Sequence, residues 1–350
     1  MAADVQHLID PEALRAYLAR ALPGTDAPLA VERIRGGHSN ETFVVQRGDE
    51  RWVLRRPPRG PLLPTAHDVG REYRVLQALV GTGVPVPAPL LHCTDTSVIS
   101  APFYLMEYVD GLVIRGTLPP AYQQQVAARA ALGEQLIDRL ADLHAVDWQA
   151  AGLGDFGKPQ GYLERQVRRW TGQLDASRSR DIPDLDWVTR WLQAHLPQSG
   201  PATIVHGDYR LDNALYAPEP PARIRAILDW EMATLGDPLA DLGYLLSFWR
   251  EQGDADLGLG EAAWRITELP GFLTRAQLVE RYAARTGRQL DAVSFYVALA
   301  IWKLAILLEA SYVRYRAGTT DDPFFATLDT GVPNLARRAR AACEGELSFL

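Results

Sequence analysis

Residues 204–231 read IVHGDYRLDNALYAPEPPARIRAILDWE. Two strand-like runs, 214–217 and 223–230, flank the turn-forming Pro-Glu-Pro-Pro of 218–221, which is the pattern of a β-hairpin. In an antiparallel hairpin centred on Pro221, Asn213 stands eight residues before the centre and Asp229 eight after. Positions equidistant from the centre face each other, so an amide and a carboxylate meet at the open end. Asp208 lies on the loop that enters the hairpin. The spacing by itself fits an ordinary hairpin with solvated polar ends as well as it fits a metal site. Read as a site, an amide and one or two carboxylates are hard oxygen ligands. Mg²⁺ accepts such a set while keeping waters and drawing further ligands from phosphates, whereas zinc calls for His or Cys. An unshared Asp208 carboxylate is then free to orient a hydroxyl and take its proton.

A phosphate site also needs donors, and RIRGGHSNETFVV at 33–45 supplies a strand, a glycine-rich turn and a strand. Gly36 and Gly37 let the backbone approach closely, and exposed N–H groups together with Ser39 and Asn40 can bind phosphate oxygens. A plain hairpin turn accounts for the glycine pair equally well. The stretch is no Walker loop, because no Gly-Lys-Ser/Thr opens a helix.

Around these motifs the chain has 350 residues, enough for two lobes. Hydrophobic residues make up 47% and charged residues 23%, the balance of a folded protein. The net charge of −7 argues against a nucleic-acid partner. Cys93 and Cys343 are far apart and form no C-x-x-C pair, so neither a disulfide framework nor a zinc site is expected, and a cytoplasmic, reducing location is. The N-terminus has no basic flank or unbroken apolar run and is not read as a secretory signal. It reads as a surface helix capped by Asp10, begun at Pro11 and stopped by Pro23-Gly24. The most apolar run, FYVALAIWKLAILL at 295–308, is interrupted by Lys303 and closed by Glu309. It is too short for a membrane span and is expected to be a core helix, with no membrane partner.

Strand signals concentrate in residues 28–109: LAVERIR, ETFVVQR, RWVLRR and APFYLMEYV, with one amphipathic helix, HDVGREYRVLQALVGTG, among them. After Gly111 helical patterns dominate, at 121–146, in pieces through 161–196, and at 239–250, 274–286 and 291–317. DASRSRDIPD at 175–184 reads as a flexible loop. The expectation is an α+β protein of two lobes, a strand-rich lobe at 1–109 and a helix-rich lobe at 110–350, with the site in a cleft where they meet.

The order glycine-rich hairpin, WVLR, REYRVL, YLMEYVDG, HGDYRLDN, AILDWE resembles the bilobal protein-kinase-like fold over roughly residues 28–310. Within it the chain is similar to the aminoglycoside phosphotransferase and choline kinase branch, and to the kinase domains attached to some acyl-CoA dehydrogenases. The resemblance implies ATP and Mg²⁺ as cofactors. It makes Asp208 the catalytic base, Asn213 a magnesium ligand, and Asp229 the residue bridging metal and the β/γ-phosphates. It places Arg55, with Arg56 as a rival, where kinases carry a lysine, and Glu72 as that residue's partner. Glu107 and Val109 would hold adenine through their backbones beside Met106, and Gly36, Gly37, Ser39 and Asn40 would cover the phosphates. Asp241 resembles an aspartate that braces the catalytic loop. His206 fits a structural residue of that loop, with a proton shuttle as the alternative. Arginine in place of lysine leaves the Glu72 ion pair open, and Asp-Trp-Glu in place of Asp-Phe-Gly removes the basis for a protein-kinase switch.

Asp229 and Asp241 lie so close in sequence that no long peptide-binding segment fits between them, which points to a small-molecule acceptor. Arg165, Arg168, Arg169 and Trp170 fall at helical spacing. They are either a solvated helix face or an anion-binding wall for a carboxylate or CoA-type phosphate. The reading is therefore phosphoryl transfer to a small hydroxylated molecule, a hydroxy-acid or hydroxyacyl-CoA. The alternatives are an aminoglycoside or amino-alcohol kinase, a catalytically weak nucleotide-binding regulatory module, and a metal-dependent phosphohydrolase.

Overall fold

The computed structural model describes the chain apart from residues 1–7, 25–26, 35–39, 60–67, 261–264, 321, 348 and 350. Two compact units emerge: Met1–Asp110 together with Arg225–Glu231, and Gly111–Ile224 together with Met232–Leu350. The segment 225–231, placed with the second lobe by sequence, thus counts with the first unit.

The first unit is built on an antiparallel sheet in the order β1-β2-β3-β5-β4. Its strands are β1 (Leu29–Ile34), β2 (Glu41–Arg47), β3 (Glu50–Arg56), β4 (Pro89–Cys93) and β5 (Phe103–Glu107). The β2–β3 register pairs Phe43 with Leu54 and Val45 with Trp52. Those four side chains share one face, where they join Phe103 and Leu105 and bury Leu14 and Leu18 of helix α1 (Pro11–Ala21). Asp10 caps α1 by accepting the Glu12 and Ala13 N–H groups, worth about 1 kcal/mol. Side chains alternate along a strand, so Arg55 leaves β3 on the opposite face to Leu54 and Arg56. There it meets α2 (Val69–Leu79), capped by Asp68. Arg56 turns to the Leu8 and Ile99 carbonyls.

In the second unit β6 (Leu112–Val113) pairs with β8 (Ala214–Tyr216), and β7 (Thr203–Val205) with β10 (Thr234–Gly236). The Ala217 N–H donates to the Arg223 carbonyl at 2.9 Å, which centres the turn on Pro220, one residue before the position expected. Strand β9 (Ile224–Ile227) ends two residues before Asp229, so Asp229 lies beyond the strand rather than in it.

The helix expected over 121–146 is two, α3 (Pro120–Gln124) and α4 (Ala128–His144). The Arg129 guanidinium explains the break: it donates to the carbonyls of Tyr122, Gln123 and Pro270, satisfying α3 acceptors that a continuous helix would have used itself. Next come α5 (Tyr162–Ser177), α6 (Pro183–Ala194), α7 (Leu239–Phe248) and α8 (Arg275–Thr286), followed by α9 (Val293–Arg316) and α10 (Leu328–Cys343). By length and composition α9 could cross a membrane, yet 67% of its most apolar window is buried against α7, α10, α5 and α6. The α7–α9 approach is so close that a Cβ at Gly243 would stand 2.5 Å from the Tyr296 carbonyl carbon. Of the flexible loop expected at 175–184, only 178–182 lies outside these helices, and it is pinned rather than loose. Arg180 forks onto Glu309 and reaches Asp329, Ser179 donates to Glu309, and Arg178 pairs with Asp186.

Candidate active site

The loop carrying Asp208 is held from below by Asp241, which is fully buried at the start of α7. Its two oxygens accept the His206 and Gly207 N–H groups at 2.7 and 2.8 Å, and His144 Nε2 lies 3.3 Å from Oδ2. Burial lowers the His144 pKa, against the pull of Asp241. Gly207 turns the loop at φ +87°, and a Cβ there would lie 2.7 Å from the Met232 carbonyl oxygen. His206 is buried, and its Nδ1 accepts the Asp208 N–H at 3.2 Å. The ring thereby ties the loop to itself.

Asp208 is not the unshared carboxylate that the sequence suggested. Asn213 Nδ2 donates to its Oδ2 at 2.6 Å and to its carbonyl at 2.8 Å, and Arg210 Nε lies 3.3 Å from Oδ1. Each carboxylate oxygen offers a second lone pair, so the capacity to accept a proton persists. With Nδ2 so used, the Oδ1 of Asn213 is the atom left to accept.

In the first unit Arg55 bridges two acids, with Nη1 3.1 Å from Glu72 and Nη2 3.1 Å from Asp229. The Arg55–Glu72 pair left open by sequence is present, and Arg55, not Arg56, makes it. Glu72 is fully buried and also accepts from Tyr104 at 2.8 Å and from Asn40. Burial pushes its carboxyl up to about 7, with Arg55 and Tyr104 pulling the other way. Burial opposes the Arg55 charge, but Glu72 and Asp229 outweigh it, so its pKa is raised and it stays charged. Asp229 sits at φ +66°, a region that costs most side chains of order 1–3 kcal/mol and that Asp tolerates better than most. Its side chain is one-third exposed.

Gly36, Gly37 and Ser39 lie outside the described residues. Asn40 lies within them, buried, with its amide nitrogen donating to Glu72. At the end of β5, Met106 is buried and Glu107 exposed. The Glu107 N–H donates to the Ala88 carbonyl at 2.8 Å, whereas no hydrogen bond engages the Val109 N–H among the described residues.

The arginine cluster of α5 divides. The Arg165 guanidinium donates to the Lys158 and Gln160 carbonyls. Trp170 is a buried core residue; Arg169 is exposed. Two side chains near the loop were not singled out from sequence. Burial, then the charge of Asp208, raises the Tyr244 phenol pKa, and Lys303 of α9 lines a cavity with Gly207, Asp241 and Tyr244. The only sequence signal for Lys303 was a cation set in an apolar run.

Among the described residues no three His, Cys, Asp or Glu side chains form a metal cage. Mg²⁺ needs none, since it retains waters and takes phosphate oxygens. An amide oxygen such as that of Asn213 and a carboxylate such as that of Asp229 are each hard donors of the kind this ion accepts.

The model of the phosphotransferase enzyme family matches residues 30–303. A rat protein named acyl-CoA dehydrogenase family member 11 is 39% identical over 338 residues, 94% of this chain and 42% of the relative. The chain thus spans about two-fifths of the length of that relative. A solved structure from Ralstonia eutropha, provisionally named an aminoglycoside phosphotransferase, is 36% identical, covers 96% of this chain and 98% of its own, and superposes with a TM-score of 0.80. Choline kinase from Cryptosporidium parvum is 13% identical over 97% of this chain and 98% of its own, with a TM-score of 0.65. The likeness at such low identity shows the protein-kinase-like fold.

Proposed function

The chain belongs to the phosphotransferase enzyme family, and we propose that it moves the γ-phosphate of ATP, with Mg²⁺, to a hydroxyl of a small molecule. The observation that carries this reading is the Arg55–Glu72–Asp229 constellation. A buried carboxylate fixes one side of a guanidinium, so the cation is held in place for phosphate oxygens before they arrive. A regulatory module has no need of such a constraint beside a second acid.

Asn213 Oδ1 and the Asp229 carboxylate are the groups that would hold magnesium, which supplies charge neutralisation on the β- and γ-phosphates. Asp208 orients the acceptor hydroxyl and receives its proton as the phosphoryl group transfers, and Asp241 keeps Asp208 in position through the His206 and Gly207 amides. Arg55 steadies the phosphates. The Glu107 carbonyl and Val109 N–H are the backbone groups suited to adenine. This assignment requires Asp208 and Asn213 of one unit and Asp229 of the other to act on one nucleotide. The acceptor class proposed is a hydroxy-acid or its acyl-CoA form.

The test is ADP release with Mg-ATP against a panel of hydroxy-acids, hydroxyacyl-CoAs, amino alcohols and aminoglycosides, with products read by mass spectrometry. Acceptor-dependent ADP release and a phosphorylated product are expected, falling roughly 10²–10⁴-fold in Asp208→Asn. ADP release independent of any acceptor would instead indicate a phosphohydrolase.

A further inference from the structure

The cavity beside the catalytic loop is lined by Gly207, Asp241, Tyr244, Tyr162, Gln166 and Lys303, among others. It is narrow, with room for a head group of a few heavy atoms rather than a sugar ring. Gly207 directly precedes Asp208, so the cavity lies beside the loop that carries the proposed base.

The acid that lines this cavity is already taken: Asp241 accepts two backbone N–H groups and faces His144. On the adjoining loop, Asp208 is bonded to Asn213 and Arg210. Lys303 itself has no ion-pair partner among the described residues; its ammonium lies 5.4 Å from the Trp170 ring centroid. Burial, then the neighbouring Arg169, lowers its pKa to about 8, while Asp241 and Asp208 oppose the shift. The fold therefore bears a cost for the charged form, present below pH 8 and fading as pH rises toward the ordinary value of 10.5. An anion set against the ammonium would relieve that cost.

We propose that Lys303 is a specificity-determining residue that anchors a small anionic group of the acceptor, a carboxylate or one of similar size, while Asp208 holds the hydroxyl. The inference rests on the phosphotransfer reading above and adds the residue that selects among acceptors. A half-buried cation matched to an anion disfavours an acceptor lacking that charge, because the ammonium is then left unpaired.

The experiment compares hydroxycarboxylates of three to six carbons with the corresponding diols and with amino alcohols, at fixed Mg-ATP. Wild type, Lys303→Met, Lys303→Gln and Lys303→Arg are assayed, and a thermal shift with Mg-ATP is recorded for each. The wild type is expected to favour carboxylates at least 10-fold in kcat/KM. Lys303→Met and Lys303→Gln should raise KM for the carboxylates roughly 10–200-fold with little change for diols, and Lys303→Arg should recover part of the preference. The Mg-ATP thermal shift should be unaltered, and the ligand-free Tm of Lys303→Met should rise by a few degrees. Equal losses for carboxylates and diols, or a wild-type preference for diols or amines, would overturn the assignment of Lys303 while leaving phosphotransfer intact. Mg-ATP binding with no acceptor of any class phosphorylated would remove the phosphotransfer reading and this inference with it.

Discussion

Arg55 and Asp229, 174 residues apart in sequence, sit 3.1 Å from each other, and the same guanidinium holds the buried Glu72. Removing the cation leaves Glu72 in a dry site with only Tyr104 and Asn40 as donors. Arg55→Met is expected to destabilise the protein by roughly 3–5 kcal/mol. Arg55→Lys should lose less, because it keeps the charge but not the two-pronged geometry. Urea denaturation of the three proteins checks the order.

Asp241 has a different failure mode. Asp241→Asn keeps the shape, but its amide nitrogen cannot accept a hydrogen bond, so one of the His206 and Gly207 N–H groups loses its partner. The expected cost is about 1–3 kcal/mol, together with a fall in kcat larger than any change in KM for ATP, since the loop under Asp208 loosens. Chemical denaturation and steady-state kinetics on one preparation separate the two effects.

At Gly207 a methyl group meets the Met232 carbonyl at 2.7 Å and the backbone is at φ +87°. Gly207→Ala should therefore cost at least ~1 kcal/mol and lower kcat, without Asp208 itself being altered. Differential scanning calorimetry and the same kinetics are the measurements.

The pH dependence of stability has an identifiable contributor away from the site. Asp254 is nearly buried, which raises its pKa, but Arg275 and Arg338 overcome this and hold it at about 2. A depressed carboxylate contributes stability that is complete above its ordinary pKa of 3.8 and is lost as pH falls through 2. That contribution is about 2 kcal/mol. In denaturant melts from pH 6 to pH 2, Asp254→Asn should be less stable at pH 6, and its deficit should shrink toward pH 2.

Local physics made much of this fold readable. Alternation in β2 and β3, Asp10 ahead of Pro11 and the apolar run of α9 each specify an element through its own residues. What stayed hidden depends on partners distant in sequence. The break at Gln125 is set by Arg129, whose hydrogen bonds reach Pro270, and the order of 178–180 comes from Glu309 and Asp329. Helix α10 carries Pro333 inside it, a residue that reads as a breaker until its packing on α9 is known. At the site, adjacent arginines 55 and 56 looked equivalent as letters, and strand alternation told them apart once the α2 face was located. Lys303 looked like a mere interruption, because its neighbours Tyr244 and Gly207 come from other elements.

Under the proposed function, Asn213 and Asp229 would serve one magnesium–nucleotide while Asp208 would serve the acceptor. Calorimetric titration of ATP at varied Mg²⁺ into wild type, Asn213→Ala, Asp229→Asn, the double variant and Asp208→Asn tests it most directly. Each metal-site variant should lose Mg²⁺-dependent affinity, the double should be little worse than the poorer single, and Asp208→Asn should bind as wild type does. Strictly additive losses, or Mg²⁺-dependent binding that survives in either single variant, would contradict the claim.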